Sequence, residues 1–364
     1  MVNDINQLPE GAPPLNTYYI YLTGGCNLAC RHCWIAPTFE ASGGTGQCLD
    51  YWLYEIAIAE GLPLGLKSIK FTGGEPLLHP DFVQMVEHAT EQGLNTVLET
   101  NGTLITPTLA HHLKEITSLG FISVSLDGAT SSSHDYMRNV PGSFERAQQG
   151  ILDLIDAGYR PQVIMSLFPG NVDEMETLVR WAEKIGCGSV KFNLLQPSGR
   201  GEQMKERGEW LNIEQLVQLG QWVEKDLQQS VSIPVSYSWP MAFHGISRLL
   251  RNRGEICNIE HILGILATGH LAMCGIGTQE KELVFGQLGQ ETVRDVWINN
   301  LALRKIRDTI KLPLDGVCSH CVHQKLCKGN CLAQNYYASK RLTAPFWFCQ
   351  MAEESGLFPA SRKS

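Results

Sequence analysis

From Thr17 to about Leu195 the chain repeats one pattern, a short apolar run followed by an amphipathic stretch of helical period, and six such units can be counted. Their strands read YYIYLT, SIKFT, NTVLET, FISVSLD, PQVIMSLF and SVKFNLL, each rich in β-branched or aromatic residues and each closed by Gly, Asp, Asn, Pro or Gln. Between them, stretches such as LDYWLYEIAIAEG, PDFVQMVEHATEQG and NVDEMETLVRWAEKIG set apolar side chains three and four residues apart, as a helix does when one face packs on a sheet. Strands joined by helical crossovers wind right-handed and curl, so the pattern predicts an α/β fold, either a doubly wound sheet or a barrel. Polar punctuation falls at the C-terminal end of strand after strand, the face on which barrels build their sites, and this favours a partial, TIM-like (β/α)6 barrel.

The same reading divides the chain into a lead-in over 1–16, the barrel over 17–200, a bridging helical region over 201–256, a Cys-rich module over 257–350 and a tail over 351–364. The bridge carries a helix, IEQLVQLGQWVEKDLQQ, and a short run, IPVSYS. In the module, HILGILATGHLAMC predicts a hairpin turning at Thr268-Gly269, and ETVRDVWINNLALRKIRD predicts one amphipathic helix bracing the module against the barrel.

Composition narrows the function. Of 364 residues 43% are hydrophobic and 18% charged, and the net charge of -8 leaves neither the composition of a disordered chain nor a basic footprint for nucleic acid. The start, MVNDINQLPEGAPPLN, lacks a secretory signal, and no stretch approaches the roughly 20 apolar residues of a membrane span. These features predict a soluble, cytoplasmic protein. Twelve cysteines in such a chain point away from disulfides and toward metal ligation.

Cys26, Cys30 and Cys33 stand in a C-x3-C-x2-C loop directly after the first strand. A [4Fe–4S] cluster normally takes four thiolates, so three leave one iron open to an outside chelator. A zinc knuckle completed by His32 is the competing structure. The spacing resembles the defining motif of the radical S-adenosylmethionine (SAM) superfamily, and the other strand ends resemble it in order. Strand two ends in Gly73-Gly74-Glu75-Pro76, where the family contacts the SAM amino group; strand three ends at Glu99-Thr100-Asn101-Gly102 and strand four at Ser125-Leu126-Asp127-Gly128. The resemblance implies that Gly73, Gly74, Glu75, Thr100, Asn101, Ser125 and Asp127 bind SAM, with Arg138 near its carboxylate, and that the QPSGRG after strand six belongs to the same pattern. It further implies that SAM, reduced at the open iron, yields a 5′-deoxyadenosyl radical that abstracts a substrate hydrogen.

Seven more cysteines follow a second pattern, C-x11-G-x4-C, then C-x2-C-x5-C-x3-C, then a final Cys: Cys257, Cys274, Cys318, Cys321, Cys327, Cys331 and Cys349. A zinc ribbon would share only a fragment of it. The whole resembles the SPASM extension of peptide-modifying radical SAM enzymes. By that resemblance Cys318, Cys321, Cys327 and Cys349 close one auxiliary cluster while Cys257, Cys274 and Cys331 hold another, for three [4Fe–4S] clusters in all. Two clusters need eight thiolates, so the three-cysteine cluster is expected to keep an open iron or to borrow His261 or His270. Cys187 and Cys48 read as a buried hydrophobe and an unassigned thiol.

The wording YYIYLTGGCNLACRHCW, with Trp34 after the third cysteine, resembles maturases of peptides with nif11-like leaders, including spliceases that excise a tyramine unit and leave an α-keto-β-amino acid. Thioether or cyclophane crosslinking is the alternative outcome. Sulfatase-type maturation is disfavoured, because Gly275 stands where those enzymes carry an acid after the second auxiliary cysteine. A non-catalytic iron–sulfur carrier is the reading from another class. The expected partners are a precursor peptide, an electron donor such as flavodoxin or ferredoxin and, since only about sixteen residues precede the first strand, a separate leader-binding protein. No acid or base is assigned.

Overall fold

The computed structural model describes residues 8–9, 12–41, 44–251 and 257–364, so 1–7 and 10–11 of the lead-in, 42–43 of the barrel and 252–256 of the bridge lie outside the described residues. All six expected strands form: β1 Thr17–Tyr21, β2 Ser68–Thr72, β3 Asn95–Thr100, β4 Leu119–Ser125, β5 Gln162–Leu167 and β6 Ser189–Leu194. They lie side by side in chain order with every neighbour parallel. Crossover helices include Tyr51–Gly61, Phe82–Glu91, Ser143–Asp156 and Met175–Ile185. This is the expected open α/β barrel, and the run IPVSYS extends it with β7, Val235–Tyr237, parallel to β6.

The opposite edge is where the Cys-rich module attaches. The expected hairpin forms β8 Ile262–Ile265 and β9 His270–Ala272, turning through Gly269 at φ +78°, and β10 Val284–Gln287 follows. β8 pairs with β1 in parallel, Thr17 opposite Ile262 and Tyr19 opposite Gly264. The sheet therefore runs β10-β9-β8-β1-β2-β3-β4-β5-β6-β7. One hydrophobic core passes through it, from Ile20, Phe71 and Leu98 of the barrel to Leu263, Ile265, Trp297 and Phe348 of the module. The module is thus continuous with the barrel rather than hung from it.

Parallel sheets covered by helices on both faces usually carry apolar residues at every position. This sheet does not. In β2 Ile69 and Phe71 are fully buried, and in β3 and β6 so are Leu98, Val190 and Phe192, facing the crossover helices. The alternate positions, Lys70, Glu99, Lys191 and Asn193, line cavities on the inner side. An interior built of such residues cannot close on itself as a packed barrel core, and it leaves room for a ligand.

Two elements differ from expectation. The stretch over 291–308, expected as one helix, is two helices, Val293–Asn299 and Leu301–Thr309, because Asn300 takes an extended conformation (φ -62°, ψ 121°) and its side chain caps Leu303 N. The bracing role holds: Val293 N donates to Glu60 Oε2 of the barrel helix Tyr51–Gly61 at 2.5 Å, and fully buried Trp297 donates its Nε1 to Pro13 O of the lead-in at 2.8 Å. The tail is structured, since a helix over Trp347–Glu354 carries Cys349 into it, Phe358 is buried, and Lys363 bridges back to Cys321.

Candidate active site

Beyond β1 the chain turns away from the sheet, and Gly25–Cys26 pairs with Thr38–Phe39 to fold the cysteine loop back over the strand ends. Cys26 and Cys30 are buried and Cys33 is partly exposed. Leu28 N donates to Cys26 Sγ at 3.4 Å and Arg138 Nη1 to Cys30 Sγ at 3.5 Å. Arg200, from the QPSGRG segment, clamps the loop from the other side: Nε donates to Cys30 O at 2.8 Å, Nη1 to Pro37 O at 3.2 Å. Gly199 (φ +57°) leaves space for this approach, because a Cβ there would lie 2.4 Å from Trp34 O.

The end of β2 presses on the same loop. A Cβ on Gly74 would sit 1.8 Å from Gly25 O, so only glycine allows the two backbones to meet. Glu75 is buried and turned toward the end of β3, where its Oε1 accepts from Thr100 Oγ1 at 2.6 Å and its Oε2 from Asn101 N at 2.8 Å. Burial pushes its carboxyl up to about 7, against the pull of those donors. Asn101 Nδ2 bonds Asn27 Oδ1 at 2.8 Å, tying β3 to the cysteine loop.

Gly73, Gly74, Glu75, Thr100, Asn101, Ser125 and Arg138 all line one cavity of about 350 Å³ with Cys26, Cys30 and Cys33. Asp127 does not line it. Its carboxylate is fully buried, accepts from Ser166 N at 2.8 Å and pairs with Arg138 Nη2 at 2.8 Å. Asp127 therefore acts on the site through Arg138; burial pushes its carboxyl up, but Arg138 together with His32, His134 and the Ser166 N–H brings it below the usual range.

The far wall of this cavity carries Cys257, Cys274 and Cys331. The other four module cysteines, Cys318, Cys321, Cys327 and Cys349, surround a separate small void of about 20 Å³ with Phe358 and His323. The seven module cysteines thus lie in two places, Cys257, Cys274 and Cys331 on the cavity wall and the other four around the void. Neither histidine offered as an extra ligand lines the cavity: His261 Nδ1 meets Pro14 O at 2.9 Å, and exposed His270 meets Thr268 Oγ1 at 2.7 Å. Cys187 is core, and Cys48 bridges Thr23 outside the cavity.

The donor sets fit iron–sulfur clusters. Burial is the first cause raising the module thiols, Cys274 to about 12 and Cys327 to about 11, so they need a cation to become the thiolates that ligate. Among the described residues no three Cys, His, Asp or Glu side chains converge on a single ion position.

A second cavity, about 1430 Å³, opens between the barrel and the bridge and shares Tyr19, Lys70, Asn193, Gln196, Cys257 and Cys331 with the first. Lys70, on the wall they have in common, forms an ion pair of 3.0 Å with Glu99 of the first cavity. Strand periodicity is the signal for these residues: a polar side chain at every second position of SIKFT and SVKFNL, and Glu99 near the end of NTVLET, mark an inner face that is not packed.

Known proteins agree with this architecture. The description "Radical SAM superfamily" matches residues 20–182, and the "Iron-sulfur cluster-binding domain" named SPASM matches residues 257–322. The chain belongs to the radical SAM superfamily. It is an enzyme of that family, one that uses SAM and iron–sulfur clusters. Among curated relatives it is 29% identical to the AdoMet-dependent heme synthase of Methanosarcina barkeri, over 87% of this chain and 91% of that one. It is 28% identical to the mycofactocin maturase MftC of Mycobacterium tuberculosis, over 89% and 80%. Of solved structures, Streptococcus suis SuiB bound to precursor peptide SuiA superposes with a TM-score of 0.73 at 17% identity, covering 93% of this chain and 76% of that one. Native anSMEcpe with bound AdoMet gives 0.72 at 16% identity, covering 94% and 95%. Both share the fold of this radical SAM chain. No helix among the described residues is long and apolar enough to cross a membrane.

Proposed function

We propose that this enzyme modifies a ribosomally made precursor peptide, and that the modification is excision of a tyramine unit to leave an α-keto-β-amino acid. The observation that carries the peptide reading is the cavity of about 1430 Å³ that opens between the barrel and the bridge and shares a wall with the cavity of the cysteine loop. It exceeds the roughly 300–1,000 Å³ of ordinary small-molecule pockets. Its wall is set with amides and hydroxyls, Asn193, Gln196, Ser236, Ser238 and Gln334, groups that pair with a peptide backbone. The similarity to a maturase and to a structure bound to its precursor peptide supports the same reading.

In this proposal Cys26, Cys30 and Cys33 hold the SAM-binding cluster, and two auxiliary clusters sit on Cys257, Cys274 and Cys331 and on Cys318, Cys321, Cys327 and Cys349, three in all. SAM on its cluster supplies a hydrogen-abstracting radical when reduced. The chain's own part is placement. Gly73 and Gly74 bring bare backbone to the cofactor, Glu75 fixes Thr100 and Asn101, and Arg138, held by Asp127, steadies Cys30 while facing the SAM carboxylate. Ser125 completes the wall. The barrel over 17–200 and the module over 257–350 enclose the reaction between them and keep water from it. A cytoplasmic setting, an electron donor of flavodoxin or ferredoxin type and a separate leader-binding protein complete the proposal.

Mass spectrometry of a co-expressed precursor tests it. Loss of the tyramine mass supports splicing, loss of two hydrogens a thioether or cyclophane crosslink, and an unchanged peptide counts against peptide modification. A second reading, heme synthesis, is favoured by the similarity to AdoMet-dependent heme synthases. Appearance of heme from a tetrapyrrole precursor would select it.

A further inference from the structure

The parallel pairing of β8 with β1 has a consequence for the inner wall. Gly264 of β8 stands opposite Tyr19 of β1, which stands opposite Lys70 of β2, so the three residues form one row across adjacent strands. The backbone of Cys274 packs directly over Gly264: a Cβ there would lie 2.8 Å from Cys274 Cα. Two strand spacings, each about 4.8 Å, separate the backbone of Lys70 from this end of the row. Its side chain crosses part of that distance, since the ammonium lies 3.9 Å from the centre of the Tyr19 ring. The same ammonium is 3.0 Å from Glu99, and Lys70 lines both cavities together with Cys257 and Cys331.

We propose that Lys70 is a positioning residue for the auxiliary cluster of Cys257, Cys274 and Cys331, supplying from the barrel wall the positive charge against which that cluster's potential is set. This rests on the reading that these three cysteines hold a cluster. The physical case is electrostatic. The three cysteines line the same cavity as Lys70, whose ammonium is held there by its 3.0 Å pair with Glu99. A fixed cation favours the more negative, reduced form of a cluster, and charge and burial near the cluster are the means by which proteins set such potentials. Glu99 holds the ammonium in place, and Lys191 acts on Glu99 from β6. The group of Cys318, Cys321, Cys327 and Cys349 lies around a different void, which Lys70 does not line, and serves as an internal control.

The test is potentiometric EPR on the full chain carrying Cys26→Ala, Cys30→Ala and Cys33→Ala, so that only auxiliary signals remain. Lys70→Met should move one auxiliary midpoint to more negative potential and leave the other in place. Lys70→Arg should return it toward the parent value, and Glu99→Gln should move it the opposite way by leaving the cation uncompensated. An unmoved midpoint, or both auxiliary midpoints moving alike, would overturn the assignment. Should Lys70→Met take up no iron, Glu99→Gln decides by its sign. Absence of a second auxiliary signal in the parent would overturn the cluster reading itself, and the role of Lys70 with it.

Discussion

Arg138 reaches Asp127 on one side, at 2.8 Å, and Cys30 Sγ on the other, at 3.5 Å, and both charged side chains are almost wholly buried. The guanidinium thus links a cluster thiol to a carboxylate held by the backbone of β5 through Ser166 N. Asp127→Ala would leave Arg138 buried and uncompensated, a loss of about 3–5 kcal/mol. Urea unfolding of the metal-free chain should show it. Arg138→Lys, which retains charge but loses the two-sided fork, should keep more stability yet lower SAM affinity.

Glu75 gives stability a sign against pH. An unfolded glutamate ionises near 4.5, whereas in the folded chain this buried carboxyl keeps its proton to about 7. Between those values the folded state binds more protons, so stability should fall as pH rises, by about 3 kcal/mol across the window. Denaturation midpoints of the metal-free chain from pH 4.5 to 7 should decline, and Glu75→Gln should flatten the slope. A midpoint that rises through this window in the parent chain would contradict the raised pKa.

Much of this was legible from periodicity and spacing. Strand and helix repeats are local, so the six βα units were readable, whereas the two cysteine groups of the module interleave along the chain, Cys331 falling between Cys327 and Cys349, and their division came from the family resemblance rather than from spacing. What failed to show was long-range. Nothing near Ile262 says that it will pair with Thr17. Asn300 breaks a helix whose apolar period continues through it, since a capping side chain overrides periodicity. Asp127 looked like a ligand contact because it stands at a strand end, but the position of Arg138 in space turned it inward. Lys70 and Glu99 are separated by a crossover helix, and only the sheet register joins them.

Gly74 should be the least replaceable glycine of the site. The clash a Cβ would make is with backbone, Gly25 O at 1.8 Å, and backbone cannot rotate away as a side chain can. Gly74→Ala should cost at least about 3 kcal/mol and abolish SAM binding by equilibrium dialysis. Gly93 is the contrast: its φ is +70° but a Cβ meets nothing within 4 Å, so Gly93→Asn should cost about 1 kcal/mol or less.

The cysteine grouping predicts how iron is lost. Cys349→Ala should remove about four irons, those of the Cys318 group, and spare the signal of the Cys257 group. Cys331→Ala should do the reverse, although only three residues lie between Cys327 and Cys331 in the chain. Iron analysis with Mössbauer spectroscopy distinguishes these outcomes, and loss of both auxiliary signals from either variant would mean that the groups are not independent.

His261 and His270 entered as candidates for the missing eighth ligand, and their surroundings argue against both. A histidine that ligates iron must turn a ring nitrogen to the metal, and its other nitrogen is then fixed by a partner. His261 has such a partner, Pro14 O, but lies off the cavity that Cys257, Cys274 and Cys331 line. His270 is exposed on β9, its Nδ1 engaged by Thr268 in the hairpin turn. His261→Ala and His270→Ala should therefore leave the auxiliary EPR signals unchanged. What faces those cysteines across the cavity is instead Lys70, with Glu99 behind it. Neither is a ready iron ligand while the two are paired, because the ammonium has no lone pair to give and the carboxylate is held by it. An exogenous ligand such as cyanide or a small thiol should then perturb one auxiliary signal and not the other. Resistance of both signals to it would mean that a fourth protein ligand closes the Cys257 group after all.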